Sequence, residues 1–233
     1  DGREETWKWR MSKAKELFAF LLHHRGRAVN KSRISDTLWP ELDADRAGVY
    51  LHTCVYQVRK MIKTYGLEQK MAMVLVNEGY ELKLNGVEWD VDRFLRSTAA
   101  LPPAATRENI EHFVRLADMY RGNYLDEEDY PWALESQYAY HLTYQELLLR
   151  IVDFYRNAGE HAQSAAWLKR LVACDPYREE YHAMLLDAYG KSGNRKAFMQ
   201  HFQQLRFMYL NELGLDLPDS VKQLPLRWGF DQI

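Results

Sequence analysis

The stretch from Arg46 to Tyr65, RAGVYLHTCVYQVRKMIKTY, constrains the fold more than any other part of the chain. An α-helix turns by about 100° per residue, and at that step the apolar side chains of this stretch gather on one face. The members of the apolar face are Ala47, Leu51, Cys54, Val55, Val58, Ile62 and Tyr65. The pattern predicts a helix that is buried on one side and faces solvent on the other.

The opposite face of this helix combines cationic and amide side chains with a tyrosine, and no carboxylate falls on it within the stretch. Its members are Arg46, Val49, Thr53, Tyr56, Gln57, Lys60 and Lys63. Lys and Arg neutralise phosphates, while Gln and Thr can hydrogen-bond base edges in a major groove that admits one helix. An ordinary solvated helix face is the alternative, and the neighbouring segments favour contact with nucleic acid.

Those neighbours predict a three-helix unit that ends in a hairpin. The segment KAKELFAFLLHHRG has helical periodicity, with Ser12 as the expected N-cap and Gly26 as the stop. A second, shorter helix is expected over Lys31–Trp39. Behind the two-faced helix, residues 71–84 alternate on both sides of a turn in which Gly79 is expected to supply a positive φ. Three helices followed by a hairpin indicate a winged helix-turn-helix.

The first residues predict a strand that needs partner strands. Alternating residues in Thr6–Trp9 are typical of a strand, and a single strand cannot fold alone. We therefore expect the chain to begin inside a longer protein, with N-terminal strands truncated.

Four motifs carry a family resemblance: WRMSKAKELFAFLLHHRGRAV, LWPELDADRA, VYQVRKMI and NEGYEL. Together they resemble the OmpR-type winged-helix domain of bacterial response regulators, in the variant of the Streptomyces antibiotic regulatory protein (SARP) family. The resemblance implies that the third helix reads the major groove and that the wing reaches an adjacent minor groove. It also implies that a phosphate-accepting receiver domain can precede this chain.

Carried over by position, the resemblance assigns roles to individual side chains. It implies that Tyr50, Thr53, Tyr56 and Gln57 face bases, that Lys60 and Lys63 lie on phosphates, and that Asn77 stands at the wing tip. With the polar face of the helix, the expected DNA-binding set is Arg46, Val49, Tyr50, Thr53, Tyr56, Gln57, Lys60, Lys63 and Asn77.

The second half of the chain contains an internal repeat. Tyr155 and Gly159 recur 34 residues later as Tyr189 and Gly193, and Leu168 and Leu171 recur as Phe202 and Leu205. Thirty-four residues is the period of a tetratricopeptide helix pair, whose apolar face only a stacked neighbour can bury. The motifs YRGNYL, CDPYREEYHAMLLDAYGKSGN and NELGLDLPDS also resemble the bacterial transcriptional activator domain that follows the winged helix in the same family.

The expected fold is therefore mainly α, with two domains. Residues 1–88 are expected to form a winged helix-turn-helix of three helices and a wing hairpin, and residues 89–233 an all-α, tetratricopeptide-like solenoid. Residues 1–90 carry 15 Lys and Arg against 13 Asp and Glu, and residues 91–233 carry 16 against 20. A DNA contact by the first part would thus use a local basic patch and not a global field.

Several classes of protein find no support in the sequence. We find no nucleophile elbow, phosphate-cradling glycine loop, zinc-binding His pair or paired Cys motif, so no catalytic residue, cofactor or metal is expected. Cys54 and Cys174 are far apart and are expected to be free thiols. There is no signal peptide and no apolar run of about 18 residues, so a cytoplasmic protein without a membrane span is expected.

The sequence predicts a sequence-specific transcriptional regulator, an activator, that binds double-stranded promoter DNA. Its helical half would contact RNA polymerase or a second copy, giving a homodimer on DNA. The alternative is a tetratricopeptide-type interaction scaffold without DNA binding, which the basic face of the third helix disfavours.

Overall fold

The computed structural model describes residues 7–230, and the chain divides into two compact units. The first unit takes in the chain up to Trp89 together with Tyr130–Trp132. The second comprises Asp90–Asp129 and the chain from Ala133 onward. Sequence reasoning did not anticipate that the short segment Tyr130–Trp132 belongs with the first unit, because the residues that it packs against are more than a hundred positions earlier. One of them is Glu16, which accepts a hydrogen bond from the Trp132 indole Nε1 at 3.3 Å.

The first unit has the predicted winged helix-turn-helix architecture. Its elements are α1 (Ser12–His23), β1 (Val29–Asn30), α2 (Lys31–Leu38), α3 (Ala44–Thr64), β2 (Met71–Val76) and β3 (Gly79–Leu84). The three strands form one antiparallel sheet in the order β1-β3-β2. The hairpin β2-β3 is the wing, and it follows directly behind the longest helix of the unit.

The core of this unit forms where α1, α2 and the sheet cover one side of α3. The fully buried side chains include Leu17 on α1, Ile34 on α2, Val58 on α3 and Leu82 on β3. Cys54 is buried among them, and burial raises the pKa of its thiol to about 11. It therefore packs as a small apolar side chain, and it is a free thiol, as is Cys174.

Two predictions at the N-terminal end of the unit are wrong. Ser12 is the first residue of α1 and not its cap; Met11 holds the cap position in an extended conformation, without a side-chain hydrogen bond. Trp7–Trp9 form no strand, and Thr6 lies outside the described residues. The Trp7 ring packs against Phe18 and Tyr65, with ring centroids 5.2 and 5.6 Å apart, so tertiary ring contacts take the place of a strand ladder.

The second unit is entirely helical within the described residues. Its helices are α4 (Asp90–Ala99), α5 (Ile110–Met119), α6 (Leu134–Asn157), α7 (His161–Cys174), α8 (Glu179–Lys191), α9 (Arg195–Met208), α10 (Asp219–Lys222) and α11 (Leu224–Arg227). A π-helical turn, Tyr209–Leu213, continues α9. From α5 to α9 each helix packs on the next along the chain, which is the stacking of a helical solenoid. No helix within residues 7–230 is both long enough and apolar enough to cross a membrane.

Equivalent turns confirm the 34-residue repeat. Gly159 and Gly193 both have left-handed backbones, with φ of +75° and +68°. The backbone N–H of Glu160 donates to the carbonyl of Tyr155, and that of Asn194 donates to the carbonyl of Tyr189, each at 2.9 Å. Both bonds close the same C-terminal helix motif, so α6 and α8 end in the same way at positions 34 residues apart.

The repeat generates a prediction about stability. Gly159→Val and Gly193→Val should each lower the free energy of unfolding of the helical unit by roughly 1–2 kcal/mol, because a β-branched residue is strained at positive φ. The cost comes from the backbone alone, since a Cβ at either position would meet no heavy atom within 4 Å. Thermal denaturation followed by circular dichroism measures the change. The matched control is Gly122→Val, which also has open space around its Cβ but lacks a positive φ. Equal melting temperatures for all three variants would contradict the equivalence of the two turns.

Candidate nucleic-acid interface

The helix α3 begins earlier than the two-faced pattern suggested. Asp43 caps it by accepting a hydrogen bond from the backbone N–H of Arg46 at 2.9 Å, and the helix continues to Thr64. This start adds Asp45 to the first turn, so the exposed side of the helix does carry one carboxylate. A carboxylate there is favoured by the helix dipole, which explains its position at the end away from the lysines.

The buried side of α3 fixes the rotation of the helix about its own axis. Six of the seven residues predicted for the buried face are buried, and Tyr65 is half-buried. The six are Ala47, Leu51, Cys54, Val55, Val58 and Ile62. Because they occupy a continuous arc, the side chains on the opposite arc must point to solvent.

The centre of the exposed arc holds Val49, Thr53, Tyr56, Lys60 and Lys63. Val49 is 67% exposed and Tyr56 is 61% exposed. These two side chains lie two turns apart and add apolar surface to an otherwise cationic and polar face. Such a combination fits a DNA groove, where cations contact phosphates and apolar groups contact the methyl of thymine.

The edge of this arc is built differently from its centre. The Tyr50 ring stacks on Trp39 at the end of α2, with ring centroids 6.4 Å apart, and Gln57 is half-buried on the same edge. The Arg46 side chain lies 3.5 Å from the Asp43 carboxylate, although both remain exposed. The predicted residues thus share one face, but Tyr50 and Arg46 have neighbours within the protein that restrict where they can point, and Gln57 is partly covered.

Sequence reasoning missed two residues on the other edge of the arc, His52 and Arg59, which are both exposed. The Arg59 Nε–H donates to the backbone carbonyl of Met73 on β2 at 3.1 Å. This bond attaches the third helix to the β2 strand of the wing, and Arg59 adds a further cation to the face. Arg59 stands beside Lys60 in the sequence and could have been identified as a further cation there. Only the tertiary structure shows that it faces the wing.

The residue with the left-handed backbone in the wing turn is not the predicted one. Asn77, and not Gly79, has the left-handed backbone, with φ of +51°. Gly79 is required for another reason: a Cβ there would collide with the carbonyl oxygen of Val29. Gly79 pairs with Asn30 on β1, so its missing side chain lets β1 approach. Asn77 and Glu78 are both exposed at the tip, and Asn is among the few non-glycine residues that tolerate the left-handed region.

The fold defines a class: a winged helix-turn-helix unit with an exposed basic third helix, followed by a helical repeat unit. The family described as "Bacterial transcriptional activator domain" matches residues 89–225. The chain belongs to this family, and the resemblance to SARP-type regulators is confirmed.

Three regulatory proteins are similar to this chain over almost its whole length. The transcriptional regulatory protein EmbR of Mycobacterium tuberculosis is 23% identical over 92% of the chain, and the regulatory protein DnrI of Streptomyces peucetius is 24% identical over 91%. The chain spans 57% of the length of EmbR and 82% of that of DnrI. The regulatory protein AfsR of Streptomyces coelicolor is 24% identical over 91% of the chain, which covers 21% of AfsR.

A solved structure confirms the fold class. The structure of Mycobacterium tuberculosis EmbR in complex with a low affinity phosphopeptide matches with a TM-score of 0.65 and 22% identity. The match covers 97% of this chain and 61% of the EmbR chain. The winged-helix and tetratricopeptide-like parts therefore occur in the same order in both proteins.

The geometry of the wing generates a prediction. Gly79→Ala should separate β1 from β3, because the new methyl group would collide with the Val29 backbone, which cannot move aside cheaply; we expect a local cost of roughly 2–3 kcal/mol. Hydrogen exchange read by mass spectrometry should show the amides of residues 29–31 and 79–80 exchanging roughly 30- to 150-fold faster. Asn77→Gly is the control, since glycine keeps the positive φ, and it should leave exchange near the wild-type rate. Unchanged protection in Gly79→Ala would contradict this reading of the turn.

Proposed function

We propose that this chain is part of a sequence-specific DNA-binding transcriptional regulator that lays α3 in the major groove of promoter DNA. The observation that carries the proposal is the exposed arc of α3, which combines Lys60 and Lys63 with Thr53, Tyr56 and Val49. Membership of the bacterial transcriptional activator domain family supports it.

In the proposed complex, some residues of the arc bind phosphates and others contact bases. Lys60 and Lys63 would hold the phosphate backbone, which sets the position of the helix without selecting a sequence. Thr53, Tyr56 and Gln57 would contact base edges, and Val49 would pack on thymine methyl groups. Arg46, with Asp43 beside it, would contribute less to phosphate binding than a cation without such a neighbour.

The wing would contact the duplex next to the site of α3. Asn77 at the tip is the expected contact with the minor groove. Glu78 stands next to it and is exposed. A carboxylate repels phosphates, so the wing would enter at one restricted angle that keeps Glu78 away from the backbone.

The second unit would act on other proteins. We infer that the unit from residue 89 onward serves self-association or contact with RNA polymerase, and that the protein is a cytoplasmic activator. Two copies on neighbouring half-sites would lie about one DNA turn apart, ~10 bp, so that both face the same side of the duplex. Its relative EmbR is named a transcriptional regulatory protein, which supports a regulatory role. A scaffold without DNA binding is disfavoured by the exposed lysines of α3.

A first test concerns the phosphate contacts. Lys60→Ala should weaken binding to promoter DNA and to a scrambled duplex by the same factor, and should flatten the log-log dependence of affinity on salt by roughly one unit. Titrations at several salt concentrations measure both effects. Lys169→Ala, an exposed lysine on α7, is the matched control and should change neither the affinity nor the slope. An unchanged salt slope in Lys60→Ala would remove Lys60 from the interface.

A second test concerns base reading. Gln57→Ala should cost on the order of 1–3 kcal/mol on the selected promoter site and much less on the scrambled duplex, because a glutamine amide pairs with particular base edges. The promoter site is first selected from genomic DNA with the wild-type chain. Gln163→Ala, on the exposed side of α7, provides the control. If Gln57→Ala loses affinity equally on both duplexes, this residue does not read sequence.

A further inference from the structure

Helix α6 exposes apolar side chains at every fourth residue. Leu134 is 58% exposed, Tyr138 is 67% exposed, and Leu142 follows at the same spacing with 38%. At this spacing they lie one above the other on a single side of the helix. We call these three residues the α6 stripe. They are large apolar groups outside the core, and so they require an explanation beyond the packing of the solenoid.

The surroundings of the α6 stripe are acidic. Residues 122–149 contain six carboxylates and neither Lys nor Arg. Of these, Glu135 and Glu146 lie on the exposed side of α6, and Asp126, Glu127 and Asp129 are exposed in the loop before it. A partner for this stripe must therefore present apolar side chains together with positive charge.

A second exposed apolar surface lies later in the same unit. On α9 and the π-helical turn behind it, Phe207 is 66% exposed and Leu210 is 63% exposed. Gln203 is exposed one turn before Phe207 on the same side. We call Gln203, Phe207 and Leu210 the α9 stripe. Residues 195–211 contain three Lys and Arg and no carboxylate. The next residue, Glu212, accepts a hydrogen bond from the Tyr177 hydroxyl, so the positive charge beside this stripe lies along α9 itself.

The charges decide how two copies can meet. Two α6 stripes placed together would bring Glu135 and Glu146 of both copies against one another, and two α9 stripes would do the same with Lys196 and Arg206. Like charges facing each other across an interface are unfavourable. Pairing an α6 stripe with an α9 stripe instead covers apolar surface on both sides and brings carboxylates to lysine and arginine.

We propose that the α6 stripe of one copy of this chain docks on the α9 stripe of a second copy. The contact is heterologous, because the two copies contribute different surfaces, and each copy in a pair keeps one stripe available for the next. This deepens the self-association proposed above and rests on it. The length of such an assembly would be set by the number of copies that neighbouring DNA sites hold together.

The test uses the full chain without DNA and two variants that each block one stripe. Tyr138→Arg removes the central ring of the α6 stripe and places a cation in an acidic surface. Phe207→Asp removes the ring of the α9 stripe and places a carboxylate beside lysine and arginine. Both positions are exposed, and unchanged circular dichroism and melting temperature verify that the variants fold. Sedimentation velocity should show the wild type gaining mass with concentration up to about 100 µM, a range typical of weak contacts, and losing it at high salt.

The decisive sample is an equimolar mixture of the two variants. Each variant alone should remain monomeric, because it has only one working stripe. In the mixture, the intact α9 stripe of Tyr138→Arg meets the intact α6 stripe of Phe207→Asp, so a dimer should form that cannot extend further. Leu75→Asp, an exposed leucine on the wing, is the matched control and should associate like the wild type.

Three results would overturn this proposal: a wild type that stays monomeric, variants that associate as well as the wild type, or a mixture that stays monomeric. Binding of purified RNA polymerase by a monomeric wild type, lost in Tyr138→Arg, would assign the α6 stripe to polymerase instead. The affinity of Tyr138→Arg and of Phe207→Asp for a single promoter half-site is measured separately and should match that of the wild type. A wild type that does not bind the half-site would count against the proposed DNA binding and not against the association.

Discussion

The rotation of α3 about its own axis is the constraint on which the proposed interface depends. Leu51, Cys54 and Val58 are almost completely buried, and each helical step of about 100° leaves them no alternative orientation. Turning the helix by one residue would bring Arg59 and Lys63 toward the core, and burying a charge without a partner costs several kcal/mol. The same packing that stabilises the first unit therefore aims Tyr56 and Lys60 outward.

The wing is attached to the helices by backbone hydrogen bonds in addition to its buried side chains, Met73, Tyr80 and Leu82. Arg59 donates to the carbonyl of Met73, which attaches β2 to α3, and Lys31 N donates to the carbonyl of Glu78 at 3.0 Å. The short strand β1 can join β3 only because Gly79 has no Cβ. These backbone contacts, together with the buried side chains, set the position of the wing tip, and a substitution at Gly79 would act on Asn77 without touching it.

The features that could be predicted from the sequence are those that depend on residues close together along the chain. Helical periodicity gave the third helix and its buried face, and the spacing of Gly159 and Gly193 gave the repeat, because a left-handed turn favours glycine whatever surrounds it. Apart from the cap of α1, which is a local error, the errors concern contacts distant along the chain. The role of Gly79 depends on a strand of two residues some fifty positions earlier, and Trp7 packs on rings where alternation suggested a strand. The roles of the DNA-facing residues stay predictions, because exposure shows what a side chain can reach and not what it binds.

The charge distribution explains how a chain with a net charge of −2 can carry the proposed DNA-binding face. At physiological ionic strength charges are screened over about 8 Å, so a phosphate responds to the cations beside it and hardly to the sum over the chain. Arg59, Lys60 and Lys63 are few, and DNA carries one charge per about 1.7 Å, so this face can neutralise only a small number of phosphates. A modest electrostatic contribution leaves more of the binding free energy to groove contacts. The exposed Val49 and Tyr56 are consistent with a large share for groove contacts. Apolar side chains add nothing to phosphate binding and contribute only where their surface is buried against bases.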